Sequence, residues 1–109
     1  MQAIKIMALT QVAAAALSAH RFVGFDGNYA AAGADALGAL EYDAEAGDPV
    51  SIEVLGVTRA EAGGPFNKGD ELEVGADGKL VVLPAGVRVA KALDDSAGDG
   101  SIVGVLLTP

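Results

Sequence analysis

Three stretches of the chain alternate between larger apolar side chains and polar or small ones. Val50, Ile52 and Val54 alternate with Ser51 and Glu53, Leu72 and Val74 with Glu71 and Glu73, and Val87 and Val89 with Arg88 and Ala90. A period of two puts one set of side chains on a buried face and the other in water, as in half-buried antiparallel strands. Turn-forming clusters separate these runs: Ala46-Gly47-Asp48-Pro49, Gly63-Gly64-Pro65, Asn67-Lys68-Gly69-Asp70, Ala76-Asp77-Gly78 and Gly98-Asp99-Gly100. Short strands at this spacing predict an all-β fold, a small single-domain β-barrel or sandwich. Its expected core contains Val23, Leu40, Ile52, Val54, Leu72, Val74, Val81, Val89, Val103 and Val105.

Composition changes this picture in one respect. The chain has 109 residues, enough for one domain, and 51% of them are hydrophobic. Alanine supplies 22 of those positions, so larger apolar side chains are fewer than the percentage suggests. A domain of this size buries roughly two-thirds of the surface its unfolded chain exposes, and there is no cysteine to staple it. Oligomerisation is the expected source of further burial.

The first nineteen residues admit three readings. Lys5 and the apolar stretches after it resemble a secretory signal ending at Leu17-Ser18-Ala19, although Thr10 and Gln11 interrupt the apolar region. The alanine run could instead form a helix capped by Thr10. Third, Ile4 and Ile6 alternate with Lys5 and Met7, which predicts an extended arm over the first nine residues. The arm is preferred for residues 1–9, while residues 10–19 stay open between helix and extended chain. The expected organisation is an N-terminal arm or edge segment at 1–19 and a β-rich domain at 20–109. An arm of this kind either completes the sheet as an edge strand or docks on a partner.

Net charge is −8, with no basic run among the lysines and arginines. Nucleic acid would be repelled by such a surface, and no apolar stretch is long enough for a transmembrane helix. Neither direct nucleic-acid binding nor a membrane partner is expected.

Candidate chemistry is sparse. There is one histidine and no cysteine, and no serine stands in a nucleophile-elbow context, so a nucleophilic triad is excluded. His20 reads as a turn residue ahead of a strand. The carboxylates Glu41, Asp43, Glu45, Asp48, Glu53, Glu71 and Glu73 fall at turns or on the polar side of strands, which reads as a solvated face rather than a catalytic pair. Asp94, Asp95 and Asp99 lie in an oxygen-rich loop that lacks calcium-loop spacing, and Asp and Gly populate tight turns for backbone reasons alone. Biotinyl and lipoyl carrier domains present a lysine at a hairpin tip; Lys79 lies just past such a tip and lacks their flanking Met or Asp. No catalytic, cofactor-binding or metal site is expected, and no enzymatic activity. The small-residue loop Asp26 to Asp35 reads either as a surface loop or as a contact in which Tyr29 is the anchor.

Taken in order, the segments resemble the capsid decoration (cement) proteins of tailed bacteriophages. Arg21-Phe22-Val23 opens the body and the Ala/Gly loop follows. Asp43 to Gly56 then carries an Asp-Ala-x-Ala-Gly-Asp-x-Val-x-Ile-x-Val-x-Gly unit. Phe66-Asn67-Lys68-Gly69-Asp70, the Asp77-Gly78 hairpin, Val89 to Leu93 and Val103 to Leu107 complete the match over about residues 20 to 109. The resemblance implies a structural virion protein on the outer capsid surface, assembled in the host cytoplasm, that binds the major capsid protein as a homotrimer and stabilises the shell. It implies no catalytic residues and no cofactor. Under this reading Ile4, Lys5, Ile6, Met7, Leu9 and Arg21 are the expected capsid contacts, and Tyr29 and Phe66 the expected subunit contacts. The alternative is a secreted or periplasmic β-domain that acts as a binding module, with residues 1–19 as its signal peptide.

Overall fold

The thirteen-residue strand Pro49–Glu61 organises the protein. A computed structural model describes residues 4–82 and 86–107, with residues 4–9 described by backbone only. Eight strands follow in chain order: β1 (Ile4–Val12), β2 (Phe22–Val23), β3 (Gly38–Leu40), β4 (Pro49–Glu61), β5 (Glu71–Val74), β6 (Leu80–Val82), β7 (Ala90–Ala92) and β8 (Ile102–Leu107). Among the described residues the only helical element is a 3₁₀ turn at Ala76–Gly78, inside the β5–β6 hairpin.

All strand pairings are antiparallel. β4 pairs with β1 from Pro49 to Val57, with β3 at Ile52 and Glu53, and with β8 from Gly56 to Glu61. On the edge of β4 away from β1 the partner changes from β3 to β8, whose pairing begins at Gly56; the φ of +109° there is one that an L side chain rarely adopts. From β8 the sheet continues through β7 and β5 to β6. A parallel bridge between Ala62 and Leu80 then brings β6 back to the end of β4, and the Gly63 N–H donates to the Leu80 carbonyl at 2.7 Å. The result is a nearly closed barrel, with β1, β2 and β3 laid along the first half of β4.

Two apolar cores match these two parts. The barrel core contains Phe22, Phe66, Leu72, Val74, Leu80, Val89, Val103, Val105 and Leu107, interleaved with Ala39, Ala60, Ala62, Ala90 and Ala92. A barrel this narrow needs small residues opposite large ones, which accounts for the alanines on the inward faces of β4 and β7. The second core contains Ala13, Leu17, Val23, Leu40, Ala44, Val50 and Ile52. Complete burial of aliphatic side chains such as Leu40, Ile52, Leu72 and Leu80 stabilises the fold by about 1.5–3 kcal/mol each.

The structure departs from the sequence pattern in several places. Val54 and Val81 are half-buried rather than central. Val87 is exposed, because β7 begins only at Ala90 and its inward residues are Ala90 and Ala92. Residues 13–19 form no helix; Ala13 and Leu17 face the second core, and Leu17 bridges to Ala44. Glu53 and Glu73 are 3% and 6% exposed, against the expected solvated face. Glu53 lies where β4 is flanked by β1 on one edge and β3 on the other. The Glu73 carboxylate is covered by the backbone of Gly33 and Gly86. Alternation separates the two faces of a strand but does not reveal that a loop covers the outer one.

Candidate interaction surface

Charge is divided unevenly along the chain. Residues 1–25 contain Lys5 and Arg21 and no carboxylate, while all fifteen Asp and Glu side chains lie in residues 26–109. The acid-free part is β1, the crossing after it and β2. The crossing and β2 supply Ala13, Leu17 and Val23 to the second core, and β1 lies along the first half of β4.

The expected contact residues fall into two groups. β1 carries Ile4, Lys5, Ile6, Met7 and Leu9, whose side chains lie outside the described structure; all but Ile6, which falls at a register shift, pair through their backbones with β4, as far as Val57. Arg21 is held inside the chain. Its guanidinium lies 3.2 Å from the Glu61 carboxylate and 5.5 Å from the centre of the Tyr29 ring. The hydrogen bond that Arg21 donates to Glu61 raises the Arg21 pKa, outweighing the opposing effect of burial. Glu61 also meets Lys79 at 3.5 Å, and Lys79 meets Asp99 at 3.1 Å, which raises the pKa of the lysine. This ladder of charges links the entry to β2, the end of β4, the start of β6 and the loop before β8.

Of the two expected subunit contacts, Tyr29 is tied into the chain at both ends. Its ring packs on the second core beneath Arg21, and its hydroxyl accepts a hydrogen bond from the Ser18 N–H at 2.8 Å. Phe66 is 4% exposed and belongs to the barrel core. The exposed aromatic side chains are Phe25 and Tyr42, with Val12 also largely in solvent. No periodic signal marks Phe25, because it sits in a turn just after a two-residue strand.

The Asp-rich loop has structural employment. The Asp94 carboxylate accepts from the Gly104 N–H, Asp95 from the Lys68 N–H, and Asp99 pairs with Lys79. Among the described residues no group of three potential metal ligands comes together. His20 adopts a left-handed turn (φ 68°), donating its N–H to Leu40 and accepting from Glu61 through its carbonyl. Glu73 has one carboxylate oxygen buried with no hydrogen-bond partner among the described residues.

An apolar pocket of about 420 Å³ opens beside β4, lined by Phe22, Phe25, Leu37, Val54, Val89 and Leu107, with Asp35 as its charged residue. Asp35 is the one titratable side chain among its described lining residues. A small β-barrel with an acidic body, an acid-free edge strand and an apolar corner is built to be attached to something.

Comparison with known proteins gives that class a family. The model of the phage cement protein family matches residues 1–107, and the chain belongs to that family. It is a virion structural protein that stabilises the capsid. No curated protein sequence matches. The fold is similar to the crystal structure of the N base of the head fibre gp8.5 of bacteriophage phi29. The TM-score is 0.78 at 21% identity, over 94% of this chain and 93% of that one. The sequence-based resemblance covered about residues 20 to 109; the family match also takes in β1 and the alanine crossing.

Proposed function

We propose that the protein decorates the outer face of the capsid as a homotrimer and is held to the major capsid protein by its first twenty or so residues. The observation that carries this reading is the partition of charge, with every carboxylate in residues 26–109. Packaged DNA repels such a body, so the outside of the shell is its compatible side. The acid-free N-terminal segment is the part that can approach another protein without that repulsion. Ile4, Ile6, Met7 and Leu9 supply apolar contact, Lys5 a cation, and Arg21 braces the base of the segment through Glu61. Three such segments acting together convert modest single-site affinity into strong attachment. Assembly takes place in the host cytoplasm, and the protein works without enzymatic activity or cofactor.

Electron microscopy of capsids assembled with and without the protein tests the location. Density at three-fold positions on the outer surface supports the proposal; density on the inner surface overturns it. Removal of residues 2–9 takes away the β1 rungs between Ile52 and Val57, so the truncated protein is expected to be less stable as well as unable to decorate, with its folding checked by circular dichroism. Undiminished occupancy by that truncated protein would place the docking surface elsewhere.

A further inference from the structure

β1 is the one long strand with an open edge among the described residues. β6 is joined to the end of β4 through the Ala62–Leu80 bridge. The outer edge of β2 is occupied by Tyr29, and the Ala30 N–H donates to the Phe22 carbonyl. Among the described residues β1 has β4 on one side and no strand on the other.

Register shows which groups of β1 are free. The Ala13 N–H donates to the Asp48 carbonyl at 2.9 Å, and the pairing from Ala8–Glu53 to Val12–Pro49 has no irregularity. In an antiparallel ladder the backbone groups of successive residues point to opposite edges. Leu9, Gln11 and Ala13 therefore face β4, while Ala8, Thr10 and Val12 direct their N–H and C=O groups outward. The Val12 carbonyl lies against Gly27, whose own carbonyl accepts from the Ala14 N–H. That leaves Ala8 and Thr10.

Exposed sheet edges are usually blunted by bulges and charge. β1 has both at its beginning, with register shifts on either side of Met7 and a charged residue at Lys5. From Ala8 onward it has neither. Beside this unguarded stretch stand two exposed apolar side chains, Val12 at 60% and Phe25 at 67%. The Gln11 side-chain amide holds the Phe25 turn in place through a 2.7 Å bond to its carbonyl.

We propose that the outward N–H and C=O groups of Ala8 and Thr10 receive an extended segment of the major capsid protein, which adds a strand to this sheet and packs an apolar side chain on Val12 and Phe25. This rests on the capsid-docking reading above and says how that docking is made. Charge complementarity selects the occupant. A second copy added at this edge would present the same acid-free strand, with no carboxylate to meet Lys5, so the contacts of a trimer lie on other faces. An external strand bearing Asp or Glu meets only the acid-free margin.

The test uses the full-length protein and purified undecorated capsids. Thr10→Pro removes one outward N–H and leaves the β4 ladder intact, since proline is tolerated where the N–H of an edge strand faces away from its neighbour. The variant is expected to melt as the parent does and to sediment with capsids about tenfold more weakly. Amide exchange at Ala8 and Thr10 supplies a second readout, fast in the free protein and slowed on the capsid. Should the parent protein fail to sediment, the docking reading falls and this inference with it. If the parent and Thr10→Pro bind equally, or if both amides exchange equally fast on and off the capsid, the edge is not the site and only this inference falls. Slow exchange in the isolated protein together with a concentration-dependent mass would give the edge to a second copy and overturn it as well.

Discussion

The Ser18 N–H donates to the Tyr29 hydroxyl across 2.8 Å, joining the crossing after β1 to the loop that covers β2. Tyr29→Phe deletes the acceptor and keeps the ring under Arg21. A net loss of about 0.5–1.5 kcal/mol in denaturant unfolding is expected, the usual worth of one such bond. Arg21 should keep its stacking on the ring, so Tyr29→Leu should cost more than Tyr29→Phe.

Gly38 lies against the Glu53 carbonyl so closely that a Cβ there would overlap it, and the Ile52 side chain is also in reach. The neighbour is backbone of the central strand, which cannot move aside cheaply. Gly38→Ala should therefore destabilise by at least about 1–3 kcal/mol, the range for overpacking a well-filled site. Gly64→Ala, with open space around the new methyl, should leave the melting temperature almost unchanged. Equal effects at the two positions would show that the β3–β4 contact is looser than described.

Glu61 serves both Arg21 and Lys79. The Arg21 and Glu61 side chains are 21% and 17% exposed, so solvent screens this pair only in part. Glu61→Ala is expected to cost about 1–2 kcal/mol, somewhat above an ordinary surface pair. Glu61→Gln should recover part of that through its remaining hydrogen bond. Thermal unfolding in low and high salt separates the contributions, with the charge-dependent share shrinking as salt rises.

The Asp26 carboxylate accepts from the Asn28 N–H at 3.1 Å, and this bond lowers its pKa below the ordinary aspartate value. A carboxyl whose folded pKa is depressed contributes stability above its unfolded pKa and loses it as pH falls through the folded value. Asp26→Asn should therefore lower stability slightly at neutral pH, leave it nearly unchanged below the folded pKa, and so flatten the acid limb of the stability profile. Carbon chemical shifts of the Asp26 carboxyl should titrate below those of a model aspartate.

Much of the barrel was legible because its strands obey a simple period. Ile52, Leu72, Val74, Val103 and Val105 are buried as the alternation requires. Misreadings arose where a second layer covers what one strand alone would expose, as at Glu53 and Glu73. The alanines were undervalued for a related reason: without the barrel's radius, Ala60, Ala90 and Ala92 look like weak core material rather than the right size for a narrow interior. Residues 13–19 were undecidable in sequence because an alanine run fits helix and extended chain alike. Leu17 lies in the second core only because β3 and the Ala44 bridge reach it from elsewhere in the chain. Phe25 carried no signal at all, since an exposed aromatic in a turn has no periodicity to read.

β1 runs antiparallel along β4 from Ile4 to Val12. A tug applied along the axis of β1 strains all of those rungs together, as a lap joint does, whereas one applied across it would open them singly. β4 passes whatever it receives to β3 on one half and to β8 on the other. A load carried along the axis of β1 would therefore meet this seam in its strongest direction, and one carried across it would meet the same seam in its weakest.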